Sequence, residues 1–136
     1  MRITADSNLL LRAIVRDDAA QSALARAELD RAEAVVVPVV ALCEFAWVLK
    51  RVYRFTAAAV GEAITAILET ENVATDRAAA AAGLSLLRAG ADFADGVIAH
   101  QGEELGGEVF VSFDAAAVRR FRAAGVAARL PMADSG

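Results

Sequence analysis

The chain of 136 residues is short of the side chains that most often do chemistry: it has one cysteine, Cys43, one histidine, His100, and one lysine, Lys50. A single cysteine excludes an intramolecular disulfide, and with one histidine beside it no Cys/His zinc site can be assembled within the chain. Any bound metal must be held by oxygen, which suits hard cations such as Mg²⁺ or Mn²⁺. Long apolar runs are missing as well. The longest, Ala34–Cys43, is interrupted by Pro38, stopped by Glu44 and too short to span a bilayer. The amino terminus meets Asp6 before any long apolar stretch and carries no cleavage-type sequence, so a cytoplasmic protein with no membrane partner is expected. No Gly-x-Gly-x-x-Gly and no Gly-Lys-Ser/Thr loop follows any expected strand, which excludes ATPases and dehydrogenases built on those loops.

What is present is apolar bulk and acid. Hydrophobic residues make up 57% of the chain, enough for one respectable core in a single domain over residues 1–131, with 132–136 expected as a flexible tail. Eighteen acidic residues outweigh fourteen basic ones, giving a net charge of −4. That balance argues against a generally basic nucleic-acid binder, but if four acids gather in one metal site the remaining charges cancel. All the basic residues except Lys50 are arginine, which favours bidentate contacts with phosphate or carboxylate over diffuse charge.

The stretch Gly90–His100 organises the rest, because it places Asp92 and Asp95 three residues apart in the first turn of an apolar helix expected to run to about Leu105. Phe93, Val97 and Ile98 are expected to turn towards a core. A capping Asp with a dipole partner would explain such a pair structurally. Three further acids, however, adjoin segments that should be buried. Asp6 ends a first strand, Arg2–Ala5, ahead of a helix that Ser7 and Asn8 could cap. Glu44 lies among Leu42, Cys43, Phe45 and Trp47 in a helix expected from Val39 to Tyr53, opened by Pro38. Asp114 follows the strand Glu108–Ser112 as Asp6 follows the first. Carboxylates at strand ends of a parallel sheet are well placed for chemistry.

Ala19–Arg31 reads as a helix with a solvated charged face. Ala34–Val37 reads as a doubly covered strand, Thr56–Glu69 as a helix, Glu71–Ala74 as a short edge strand, the alanine-rich stretch to Ala89 as a helix capped by Thr75 or Asp76 and ended by Gly90, and Val126–Leu130 as a last strand after a helix over Ala115–Ala124. This alternation predicts an α/β fold, a three-layer α/β/α sandwich with a short, mainly parallel central sheet. Asp6, Glu44, Asp95 and Asp114, with Asp92 close by, would repel one another in one pocket unless some stayed protonated or a divalent cation relieved them. Such a site can lower the pKa of a water and neutralise charge on a phosphodiester, so the reaction class is phosphate-ester hydrolysis.

These residues resemble the PIN-domain nucleases, and within them the VapC-type toxins of toxin–antitoxin pairs. Asp6-Ser7-Asn8 is similar to the family's opening motif, Pro38 to Glu44 to its helical acid, Asp92 to Ala99 to its third, and Ser112-Phe113-Asp114 to its closing one. The resemblance implies a PIN-like fold and a Mg²⁺- or Mn²⁺-dependent endoribonuclease, neutralised by a cognate antitoxin. Asp6, Asp95 and Asp114 would be metal ligands and Glu44 a ligand or orienter of water, with Asp92 in either role. Ser7, Asn8 and Ser112 would support them by hydrogen bonds. Gly96 stands where the family usually has Ala, which should loosen the helix slightly, and His100 replaces a small residue.

Two other readings stand beside this one: a non-catalytic module holding a basic peptide in an acidic groove, and an Asp-based phosphoryl-transfer domain, for which Lys50 would have to reach Asp6. A homodimer is expected to cover surplus apolar surface on Leu9, Leu10, Leu11, Trp47, Val48, Tyr53 and Phe55, with Trp47, Tyr53 and Phe55 serving as core or dimer contacts rather than base-stacking platforms. It would bring Arg12, Arg16, Arg51 and Arg54 to the edges of the groove as RNA contacts.

Overall fold

The hydrophobic pattern resolves into five short strands and seven helices within residues 1–133, the part of the chain that this computed structural model describes. The expected tail over 132–136 lies outside the described residues from 134 onward. In chain order the elements are β1 (Arg2–Thr4), α1 (Ser7–Ile14), α2 (Ala19–Arg31), β2 (Ala34–Val36), α3 (Val39–Arg51), α4 (Ala57–Glu69), β3 (Val73–Ala74), α5 (Arg77–Arg88), α6 (Phe93–Glu104), β4 (Phe110–Val111), α7 (Ala115–Ala123) and β5 (Ala128–Arg129).

All strand pairs are parallel. β2 is the middle strand of a three-stranded sheet, with Ile3 opposite Val35 and Val35 opposite Val73, while β4 and β5 form a separate pair with Phe110 opposite Ala128. Parallel strands need crossovers, and the helices supply them on both faces, giving the expected α/β/α sandwich with a short, mainly parallel sheet. Every strand is two or three residues long, so helix packing carries most of the structure.

The main core gathers Val35 of β2 and Val37 just past it with Leu42, Phe45 and Leu49 of α3, Ile64 of α4 and Phe93 of α6. A smaller cluster joins Leu86, Val118 and Phe121, where the rings of Phe110 and Phe121 lie 4.3 Å apart. The structure corrects several apolar assignments. Ile98 is 56% exposed rather than in the core, because Phe93 and Val97 already fix the buried face of α6 and position 98 falls a further 100° round the helix. Leu10 and Leu11 are buried, and Leu9, Val48, Tyr53 and Phe55 pack partly against the core, so of the seven side chains expected to need a partner only Trp47 stays largely exposed. Arg26, Glu28, Asp30 and Arg31 are exposed on α2 as expected, and Arg26 in addition donates twice to the Ala13 carbonyl, at 2.9 and 3.1 Å, satisfying the C-terminal turn of α1.

Gly96 has a role opposite to loosening. A Cβ there would come within 2.5 Å of the Ala82 carbonyl oxygen and 2.8 Å of Gly83 Cα, so the bare residue lets α6 lie directly on α5, while Gly83 admits the Phe93 ring in the same way. Gly96→Ala is expected to destabilise the domain by about 1–3 kcal/mol through overpacking against backbone. Gly102→Ala, in the same helix but with nothing within 4 Å of the added methyl, should stabilise by about 0.5–1 kcal/mol. Denaturant melts of the two variants check the contrast; equal shifts would remove the close-packing argument.

Candidate active site

The acidic residues are placed by helix starts. Asp6 follows β1 and is itself the N-cap of α1, its Oδ1 accepting the Leu9 N–H at 2.9 Å. Ser7 and Asn8 therefore do not cap this helix, since Asp6 is the last extended residue and leaves them inside the first turn. Asp114 repeats the arrangement past β4: it caps α7 through Oδ1 to the Ala117 N–H at 3.1 Å, and Ser112 Oγ accepts the Asp114 N–H at 3.0 Å, setting its turn. In both cases the cap occupies Oδ1 and leaves Oδ2 outside it.

Glu44 is exposed on α3 and is tied to the first strand end by Ser7, whose hydroxyl donates to Glu44 Oε2 at 3.0 Å. This contact spans 37 residues of sequence and joins Asp6, Ser7 and Glu44 into one group. Asn8 lines a groove against α2 together with Asp6, Arg12, Gln21 and Glu28.

A second group forms at the start of α6. Asp92 is the N-cap residue, yet its side chain makes no cap hydrogen bond; its Oδ1 instead meets Lys50 Nζ of α3 at 2.9 Å. Asp95, one turn in, is half-buried. Burial first, then the charges of Asp92 and Asp114, push its carboxyl above the usual aspartate range, while a backbone hydrogen bond at Asp92 and the Lys50 charge pull the other way. Asp92, Asp95, Asp114 and Lys50 thus act on one another electrostatically. Sequence reasoning missed this placement of Lys50; the signal was a lone lysine two turns beyond Glu44 on an otherwise apolar helix.

Helix α3 packs against both α1 and α6, and through Glu44 and Lys50 it bonds to a residue of each group. The two groups are not drawn into one tight cluster: among the described residues no three carboxylates sit close enough together to form a metal-binding group. The donor set nonetheless fits a hard divalent cation. It consists of carboxylates, two keep an oxygen outside their caps, and a half-buried member carries like-charge repulsion that a cation would relieve.

Of the arginines expected at the rim, Arg12 is committed to Asp17 at 2.9 Å, with Tyr53 donating to the same carboxylate at 3.1 Å. Although burial opposes it, the hydrogen bonds from Tyr53 and Arg12 hold Asp17 below the usual range, and Asp17 raises Arg12 in turn. Arg16, Arg51 and Arg54 are exposed, Arg54 in the left-handed region at φ 60° as the chain leaves α3. His100 lies along α6 with Nε2 2.6 Å from Glu104 Oε1 but without hydrogen-bond alignment. Burial, then the Glu44 charge, push the Cys43 thiol up, away from the thiolate form.

The family model for the PIN domain matches residues 3–123, which takes in Asp6, Glu44, Asp92, Asp95 and Asp114. No curated protein matches the chain.

The charge on Asp95 has a consequence for stability. Its folded pKa lies above the unfolded value of about 3.9, so between those values the folded state binds the extra proton and stability falls as pH rises through that window. Without divalent metal at pH 7, Asp95→Asn is expected to melt at a higher temperature than the parent, the gap narrowing as pH falls towards about 4. A variant that melts lower at pH 7 would mean that the ionised carboxylate is stabilised by its surroundings.

Proposed function

We propose, because the chain belongs to the PIN domain family of nucleases, that it is a Mg²⁺- or Mn²⁺-dependent endoribonuclease and the toxin of a VapC-type toxin–antitoxin pair. The observation that supports this reading is the half-buried Asp95 carboxyl, pushed up by burial and then by the charges of Asp92 and Asp114, in a chain whose Asp6 and Asp114 both cap helices just past strand ends. A divalent ion bound there would supply charge neutralisation at the phosphodiester and a water of lowered pKa. Asp6, Asp95 and Asp114 would hold it, with Glu44 as a further ligand or orienter of the water.

The chain's own residues would do the positioning. The two caps fix the rotamers of Asp6 and Asp114, the Ser7 hydroxyl orients Glu44, and the Ser112 hydroxyl sets the Asp114 turn. Asp92, paired with Lys50, would act beside the ion rather than on it. Arg16, Arg51 and Arg54 are the exposed cations available to an RNA backbone, with Arg12 joining them only by leaving Asp17. An RNA substrate places the work in the cytoplasm, in keeping with the lack of any helix long and apolar enough to cross a membrane among the described residues. Exposed Leu24, Ile98 and Leu105 offer apolar surface for a second copy and for the helix of an antitoxin, whose arginine could compete for the carboxylates.

Asparagine caps a helix about as well as aspartate, so Asp6→Asn should leave the α1 cap intact while removing a ligand charge. The expected result is a melting curve like that of the parent with RNA cleavage in Mg²⁺ or Mn²⁺ reduced by at least about 100-fold. Parent-like cleavage by the variant would overturn the assignment.

A further inference from the structure

Helix α3 carries the chain's only tryptophan, Trp47, on a face that the fold does not cover: the residue is 59% exposed although Phe45, Ala46 and Leu49 around it are buried. Three and four residues on, Lys50 and Arg51 project from the same face. A crevice of about 70 Å³ is lined by Trp47, Lys50 and Arg51 of α3 and by Asp92 and Asp95 at the start of α6. With liquid water occupying roughly 30 Å³ per molecule, that space suits two waters rather than a nucleobase. A planar group at this wall must therefore lie on the indole and not enter the crevice.

Lys50 is held there at the expense of local structure. Five of the seven described helices start at aspartate N-caps, Asp6, Asp18, Asp76, Asp92 and Asp114, and four of these bond their own helix through the side chain. Asp92 alone turns its carboxylate away, to a lysine 42 residues distant in sequence. The ammonium thus rests on Asp92 at a crevice that the indole and Asp95 also line, where a phosphate approaching Asp95 would pass.

We propose that Trp47, Lys50 and Arg51 form a single-nucleotide platform next to the site: an unpaired base of a single-stranded RNA stacks on the indole, and the two cations take the phosphate attached to it. The inference rests on the nuclease reading and adds to it the strandedness of the substrate and the side chains that select it. Stacking on an aromatic face requires a splayed-out base, which a duplex does not offer. Exposed Arg51 beside the indole, with Lys50 joining it on exchanging Asp92 for a phosphate, gives this face the cation and aromatic that a nucleotide takes, while exposed Glu44 lies one turn before Trp47.

The lone tryptophan makes the test direct. Asp6→Asn protein is titrated with a labelled single-stranded oligoribonucleotide of about ten residues, reading the label's anisotropy and the emission of Trp47 together. Quenching that follows the same binding curve, absent with a duplex of the same sequence, is the expected result. In the active protein, Trp47→Ala should raise KM at least about five-fold with kcat within two-fold, and Trp47→Phe should restore most of it, as loss of one base stack demands. Binding of the single strand without a change in emission, or an unchanged KM in Trp47→Ala, overturns the platform while leaving the nuclease reading standing. So does emission that changes with protein concentration alone, which would assign the face to a second copy. A parent protein that neither binds nor cuts RNA in Mg²⁺ or Mn²⁺ overturns both.

Discussion

The acidic end of α6 lies where it does because two backbones touch. With no side chain at Gly96, the helix rests on the Ala82 carbonyl and Gly83 of α5, and the Phe93 ring fills the space that Gly83 leaves. This contact is between backbone atoms, which cannot rotate out of the way, so it fixes the depth of α6 more firmly than an interdigitated pair of leucines would. The depth sets where Asp92 and Asp95 fall relative to Lys50 on α3 and Asp114 on α7. A methylene added at position 96 would shift the carboxylates as well as strain the core.

The site is built from groups that also hold the fold, and the two duties divide between oxygens of one carboxylate. At Asp6 and Asp114, Oδ1 satisfies a helix N–H and so locks the side chain, a contribution of about 1 kcal/mol per cap. The locked rotamer presents Oδ2 at no further entropic cost. Asp92 departs from this economy, forgoing the cap for a half-exposed ion pair with Lys50 whose own stabilisation is small. Asp95 goes further and sits where its charge is unfavourable. Going from Asp6 to Asp92 to Asp95, local stabilisation gives way to electrostatic tension, as is common where a site needs a charge that the fold alone would not choose.

Much of this was legible in the sequence because it is local. The Val run at 35–37, the Asp6 and Asp114 strand ends and the helix spans follow from β-branched runs, periodicity and turn residues within windows of a few residues. What could not be read depends on distance in space. Ile98 looked like core because 93, 97 and 98 fit a broad apolar stripe; the depth at which α6 meets α5 narrows it. Gly96 looked like a weak point because its partner, the Ala82 carbonyl, is not visible from position 96. Arg26 is exposed as its charge suggests, but its bond to the Ala13 carbonyl could not be foreseen because that carbonyl belongs to another helix. The Ser7–Glu44 and Lys50–Asp92 bonds, across 37 and 42 residues, have no local signature.

These long-range bonds make α3 the element on which the site turns. Leu42, Phe45 and Leu49 are fully buried along one face, and moving the helix as a body would disrupt the close packing of the main core. Glu44 and Lys50 ride on the opposite, accessible side, six residues and nearly two turns apart, one reaching towards Asp6 through Ser7 and the other towards Asp95 through Asp92. Any rearrangement that gathers the carboxylates around a ligand must therefore come from these long side chains and not from the backbones. Glutamate and lysine have the rotamers for it, while the capped aspartates do not. The division follows from burial: the fixed groups are those whose helices begin at strand ends, and the adjustable ones project from the exposed face of a helix that cannot move.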